Sequence, residues 1–255
     1  MKTFTIGKKK IVLKEEWMVG FITTWIVGLL AHAYRFFNFL PIWDSIYNFT
    51  GVGSTYTLGR WFLGYAGLIT SMFDLPWING AFSLFYISIV VILLTEMFEI
   101  KNKGMIVLCA AIFVSFPTVV SSFAYMYTAD AYLLAFLLAT LAVYLTWCVK
   151  KWGTIAGMVC LAFAMGIYQA YATVAIVLVL LYIIRQFVIE KLDFLEAVRK
   201  DLKYLGMLVG GAVLYAVILK ITLIRYNITL PGYQGIGALG IMSLGQYKAA
   251  LQKTL

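Results

Sequence analysis

Charge is scarce in this chain. Of 255 residues only 12% are Asp, Glu, Lys or Arg, and His32 is the single histidine. So little polar material cannot cover the core of a soluble domain of this length. One histidine excludes a multi-histidine metal site, and its place inside an apolar run reads as a packed, hydrogen-bonded core residue. Cys109, Cys148 and Cys160 are odd in number, show no CxxC spacing and fall within apolar runs. They read as small core residues and not as disulfide or metal ligands, and nothing in the sequence supports a divalent metal or another cofactor.

Apolar residues make up 63% of the chain and the mean hydropathy is +0.93. Uncharged runs of membrane-spanning length recur throughout, which predicts an all-α, polytopic transmembrane protein. The basic N-terminus, with Lys8, Lys9 and Lys10, leads into a first span at 17–34 that reads as an uncleaved signal anchor. Further spans are expected at 78–95, 105–122 (bent at Phe116-Pro117) and 130–148, and a last one at 204–223. The uncharged stretch 153–184 would be about 48 Å long as one helix, against an apolar slab of about 30 Å, so two spans turning near 166–169 are predicted, seven in all. Segments 61–73 and 192–204 read as helices lying along the interface. Residues 1–224 then form one transmembrane module, and 225–255 begin an extracytoplasmic region, so the chain reads as the N-terminal part of a longer protein.

The formal charge of +9 has a topological cause. With the N-terminus in the cytoplasm, fourteen of the 20 basic residues fall on that side of the layout, as the positive-inside rule requires. No basic soluble domain exists to bind nucleic acid, so the partner is the lipid bilayer. Eight of the 11 acidic residues lie beside these basic clusters. Asp44, Asp74 and Asp130 do not. They fall in short polar gaps on the side with few basic residues, where a carboxylate serves no topology signal.

The loop at 35–60 is the densest of these gaps. Asp44 follows Trp43 and precedes Tyr47, Asn48 and Tyr56, and Gly59-Arg60-Trp61 closes the loop. An aspartate there suits a general base for a hydroxyl, and the fork of Arg60 suits a phosphate. Trp43 and Trp61 offer flat faces to a sugar ring. These parts match an enzyme using a lipid-phosphate-linked sugar, whose phosphate leaves without needing an acid. Against this, a loop aspartate is commonly a turn or cap residue, and an interfacial arginine commonly an anchor to headgroups. Asp130, after Tyr125 and Tyr127, reads either as a helix N-cap or as a site residue, and Asp74 as a cap or helix terminator. Tyr168 and Gln169 either touch a ligand or bond between helices. Asn48-Phe49-Thr50 and Asn227-Ile228-Thr229 are sequons, meaningful only in a eukaryotic secretory protein.

The order Gly59-Arg60-Trp61-Phe62, Leu75-Pro76-Trp77-Ile78-Asn79-Gly80, Phe116-Pro117, Tyr125 to Asp130 and Gly166-Ile167-Tyr168-Gln169-Ala170 resembles the bacterial membrane glucosyltransferases of the serotype-converting, O-antigen-modifying type, in the GT-C superfamily. The resemblance covers nearly the whole chain. It implies transfer of a sugar, commonly glucose, from a polyprenyl-phosphate donor to a cell-surface glycan outside the cytoplasm of a bacterium. Such enzymes place an essential acid in the first outer loop, so the resemblance carries that role to Asp44, the only acid in 35–60. A transporter of lipid-linked sugars is the rival reading; it predicts charges deep within spans and two repeated halves, which the sequence does not display. A non-catalytic partner in envelope assembly is the third.

Overall fold

The computed structural model describes residues 2–6, 9–47, 55–70, 73–191 and 193–230. The Asn48 sequon and the glycine-rich stretch from 232 lie outside them. The described residues open on a hairpin not expected from the sequence, in which β1 (Lys2–Ile6) pairs antiparallel with β2 (Lys9–Leu13), Phe4 opposite Ile11. Every later element among the described residues is a helix or helical turn.

The helices are α1 (Glu15–Phe37), α2 (Trp43–Tyr47), α3 (Leu63–Ala66), α4 (Pro76–Met97), α5 (Lys103–Ser115), α6 (Pro117–Ser122), α7 (Met126–Cys148), α8 (Gly153–Ile167), α9 (Ala172–Arg185) and α10 (Phe194–Tyr226). Five segments among the described residues are long and apolar enough to cross a membrane: Glu15–Phe37, Pro76–Met97, Lys103–Cys148, Gln169–Glu190 and Arg199–Tyr226. Gly153–Ile167 is a shorter apolar helix. The chain is therefore an all-α polytopic membrane protein.

Local chemistry sets the breaks. Pro76 and Pro117 each open a helix, where a missing N–H costs nothing. Phe116, just before Pro117, is extended, so the expected bend is a true interruption. Asn102 caps α5 by accepting from the Met105 N–H at 3.1 Å. The stretch 153–184 divides as expected, with Tyr168 extended between α8 and α9. Two expectations change. Segment 61–73 is not one interfacial helix, because α3 ends after a single turn and passes into a 3-10 turn, Gly67–Ile69. Segment 192–204 is not separate from the last span either. With no Pro or Gly before Gly206, the polar start and the apolar remainder wind into one 33-residue helix, α10.

Helix α7 is the hub, packing against α4, α8 and α9. Met126, Ala129 and Leu133 belong to a core with α1, α4 and α5, whereas Ala131, Ala135, Ala139 and Ala142 belong to a second core with α8, α9 and α10. Helices in lipid gain no hydrophobic energy by associating, so small residues that allow close packing matter most. Gly157 of α8 shows this: a Cβ there would lie 2.7 Å from the Ala142 carbonyl oxygen and 2.9 Å from Met207 of α10. Hydroxyls inside the helices bond back to their own backbone, as Thr24 does to Gly20 O and Thr146 to Ala142 O.

Ion pairs gather at one end of the bundle. Lys14–Glu96, Lys103–Glu15, Arg185–Glu99, Arg185–Glu190 and Lys200–Glu190 all lie there, and Trp17 donates to Glu96 at 2.7 Å. Arg35 sits at the other end of α1, about 30 Å away along the helix.

Packing at Gly157 makes a prediction. Gly157→Ala is expected to destabilise the protein by about 1–3 kcal/mol through backbone displacement of α8 from α7. Gly206→Ala, where a Cβ meets nothing within 4 Å, is expected to be neutral or stabilising by about 0.5 kcal/mol. Thermal unfolding of both variants in detergent checks this; equal melting temperatures would contradict the packing argument.

Candidate functional site

At the end away from the ion pairs, Arg60 is fixed from below. Gly59 has φ +71°, a left-handed conformation, and a Cβ would lie 2.6 Å from Gln169 Nε2 and 2.9 Å from Tyr215 Oη. Glycine alone fits. Gln169 Nε2 donates to Leu58 O at 2.8 Å and to Tyr215 Oη at 2.9 Å, and Tyr215 donates to Gly59 O at 3.0 Å. The Phe62 N–H donates to Gly166 O at 2.8 Å, and Trp61, 6% exposed, packs edge-on against Phe163. The turn carrying Arg60 is thus bound to the α8–α9 joint and to α10. Among the residues chosen from sequence, Trp61 and Gln169 belong to this support.

The Arg60 guanidinium lies 4.4 Å above the Tyr168 ring and donates from Nη1 to Tyr132 Oη at 3.2 Å. Its Nε is buried and meets no hydrogen-bond acceptor. The cation is therefore only partly satisfied, held flat on an aromatic face.

The three aspartates occupy different depths. Asp44 is exposed on α2, beside Trp43, which is 72% exposed. The charges of Asp44 and of Arg60 both reach the Tyr127 hydroxyl, near the start of α7. Asp130 does not cap α7. The helix begins at Met126, and Asp130 lies one turn inside it, 2% exposed, accepting from Thr70 Oγ1 and Asn79 Nδ2 at 3.1 Å each. Asn79 Oδ1 in turn accepts from the Leu75 N–H at 2.9 Å. Asp130 therefore ties α7 to α4 and to the turn after α3.

Asp74 does not cap a helix either; Leu75 holds the cap position of α4 without a side-chain bond. Both Asp74 oxygens are buried without a hydrogen-bond partner. Burial pushes this carboxyl above its ordinary range, opposed by the positive charge of Arg35 and by the Ser45 hydroxyl. Ser45 gives little relief, since its proton goes to Ile42 O at 2.8 Å. Arg35 spends its donors on backbone, reaching Phe123 O at 2.8 Å, Ala124 O at 3.0 Å and Leu40 O. Because 61–73 forms no long helix, the connection from α1 to α4 runs from 38 to 75 and carries two acids, Asp74 as well as Asp44. Arg35, Thr70, Asn79 and Tyr132 complete the arrangement. Asn79 stood in the Leu75–Gly80 motif and Arg35 opened the loop at 35–60, but Thr70 and Tyr132, single polar residues within apolar runs, gave no signal.

His32 is buried, with Nε2 2.9 Å from Val114 O, and packs on Phe36 and Phe123, as a core histidine should. Among the described residues no group of three or more His, Cys, Asp or Glu could hold a metal ion.

The model of the family described as glucosyl transferase GtrII matches residues 33–253. Neither a curated protein sequence nor a solved structure matches the chain.

Two predictions follow from the acids. An acid whose folded pKa is raised binds its proton more tightly folded than unfolded. The stability of the wild type should be full below the ordinary value of 3.8 and decline as pH rises through the folded value of Asp74. Asp74→Asn should remove that decline, so its melting temperature should gain on wild type from about pH 4 upward; parallel curves would refute the assignment. Asp130→Ala should cost about 2–4 kcal/mol by stranding the Asn79 amide and leaving the Thr70 hydroxyl only Gly67 O, and Asp130→Asn less, as read by denaturation in detergent.

Proposed function

We propose that this chain, which belongs to the glucosyl transferase GtrII family, transfers glucose from a polyprenyl-phosphate carrier to a cell-surface glycan on the extracytoplasmic face of a bacterial plasma membrane. The observation that supports the reading is that an exposed acid, Asp44, and a cation stacked on Tyr168, Arg60, both lie within electrostatic reach of Tyr127.

In this reading Asp44 takes the proton of the acceptor hydroxyl as that oxygen attacks the anomeric carbon. The bond from that carbon to the phosphate oxygen breaks, and polyprenyl phosphate departs with the electron pair. Arg60 balances the charge that grows on the phosphate, and the Tyr168 ring beneath it holds the guanidinium in place. No acid is required, because phosphate is already a good leaving group. Trp43 presents its exposed ring to a sugar, and Tyr127 orients the acceptor between base and cation. Asp130 is buried under this surface and serves it by holding α4 and α7 in register.

Charge supports this side of the membrane. The ion pairs lie at the far end, and fourteen of the 20 basic residues fall on that side of the sequence layout, which the positive-inside rule assigns to the cytoplasm. The site end is then extracytoplasmic, where nucleotide sugars are absent and a lipid-borne donor is the natural supply.

Membranes containing the protein, given polyprenyl-phosphate glucose and acceptor glycan, test this. Asp44→Asn is expected to lower transfer at least about 100-fold, and Arg60→Lys about tenfold through loss of the paired donors. Undiminished transfer by Asp44→Asn sinks the catalytic assignment. Passage of the lipid-linked sugar across the bilayer without transfer replaces the enzyme with a transporter.

A further inference from the structure

A second feature lies outside the polar site. Between α4, α5, α7 and α9 runs an apolar groove of about 750 Å³. At the site end it starts at Thr118 and Thr173, and at the ion-pair end it reaches Phe98 and Ile100. One wall is built from α5, with Cys109, Ile112 and Phe113, and continues past the Phe116 break into α6 with Thr118 and Val119. Val177 and Ile112 line it and are more than half exposed, so the groove opens sideways toward the bilayer.

The groove is joined to the polar site by rings. Phe136, in its wall, meets Tyr171 edge-on with centroids 6.2 Å apart. Tyr171 meets Tyr132 at 6.3 Å and Tyr168 at 6.1 Å. Tyr168 carries the Arg60 guanidinium on its face. A relay of ring contacts therefore links the apolar groove to the Arg60 cation. That sequence of surfaces matches a single amphiphile with an anionic head and a long hydrocarbon tail.

We propose that the groove between α4, α5, α7 and α9 holds the isoprenoid tail of the lipid-linked sugar whose phosphate rests on Arg60. The inference builds on the prenyl-phosphate donor argued above and adds where its tail lies and why tail length matters. A tail already dissolved in lipid gains little hydrophobic energy by entering the groove. The gain is contact with a fixed, branched wall, so the expected discrimination is modest, about fivefold in favour of a tail long enough to fill the groove over one of a few isoprene units.

Two measurements on the full protein in membranes test it. In the first, prenyl phosphate with a photoreactive diazirine near the tail end is cross-linked and the labelled peptides are mapped. Labels on α5 and α9 groove residues are expected. Labels confined to other helices, or equal labelling by a phosphatidylglycerol bearing the same diazirine, overturn the proposal. In the second, glucose transfer is compared for short-tailed and long-tailed donors with wild type and Val177→Trp. The long-to-short ratio is expected to fall from about five to about one in the variant. This ratio does not depend on how much of the variant folds. Equal rates for both tails in wild type, or an unchanged ratio in the variant, also overturn it. Groove labelling without any glucose transfer would retain the tail site and reject the transferase reading, so the two failures are distinguishable.

Discussion

A polar group inside a hydrocarbon slab has no water to fall back on, and the site end of this protein is organised by that constraint. Asp130 is the clearest case. Placed one turn into α7, its carboxylate is tolerable only because Thr70 and Asn79 both donate to it. Those two bonds fix the end of the α3 region and the first turn of α4 against the hub helix. Gln169 and Tyr215 do the same for the turn at Gly59, satisfying Leu58 O and Gly59 O with side chains from elsewhere in the chain. Once both knots are tied, the position of Arg60 is determined.

The second consequence is a division of labour among like residues. Three aspartates that share a side of the layout do not share an environment. Asp130 is bonded and internal, Asp74 is buried and short of donors, and Asp44 is exposed. The arginines divide likewise: Arg35 bonds three backbone carbonyls, whereas Arg60 stacks on Tyr168, bonds Tyr132 and leaves its buried Nε without an acceptor. The proposed chemistry is assigned to the exposed acid and to the cation stacked on Tyr168.

Much of the fold was legible because its signals are periodic or compositional. Apolar runs marked the long helices, Pro117 the interruption after α5, and Gly166 with Tyr168 the division of 153–184. The site was legible only by residue. Asp44, Arg60, Tyr127 and Tyr168 were singled out and meet at one end. Trp61 and Gln169 were also singled out, yet they act through packing and backbone bonds, which depend on partners over 100 positions away, as between Gln169 and Leu58. For Asp130 the cap alternative fails, because nothing in the sequence marks Met126, and not Asp130, as the first residue of α7. The seam between 192–204 and the last span was misread because hydropathy changes there while helix propensity does not.

That unbroken α10 sets an angular condition on the whole molecule. Near its start Asp201 accepts from Gln186 at 3.1 Å, and further along Tyr215 donates to Gly59 O at 3.0 Å. Fourteen residues separate the two contacts, close to four full turns, so both point in nearly the same direction from one axis. With no kink between them to absorb a change in phase, a single inserted or deleted residue would swing one contact about 100° around the helix relative to the other. Length between these two positions is therefore held to whole turns, while residue type along the lipid-facing side is left comparatively free.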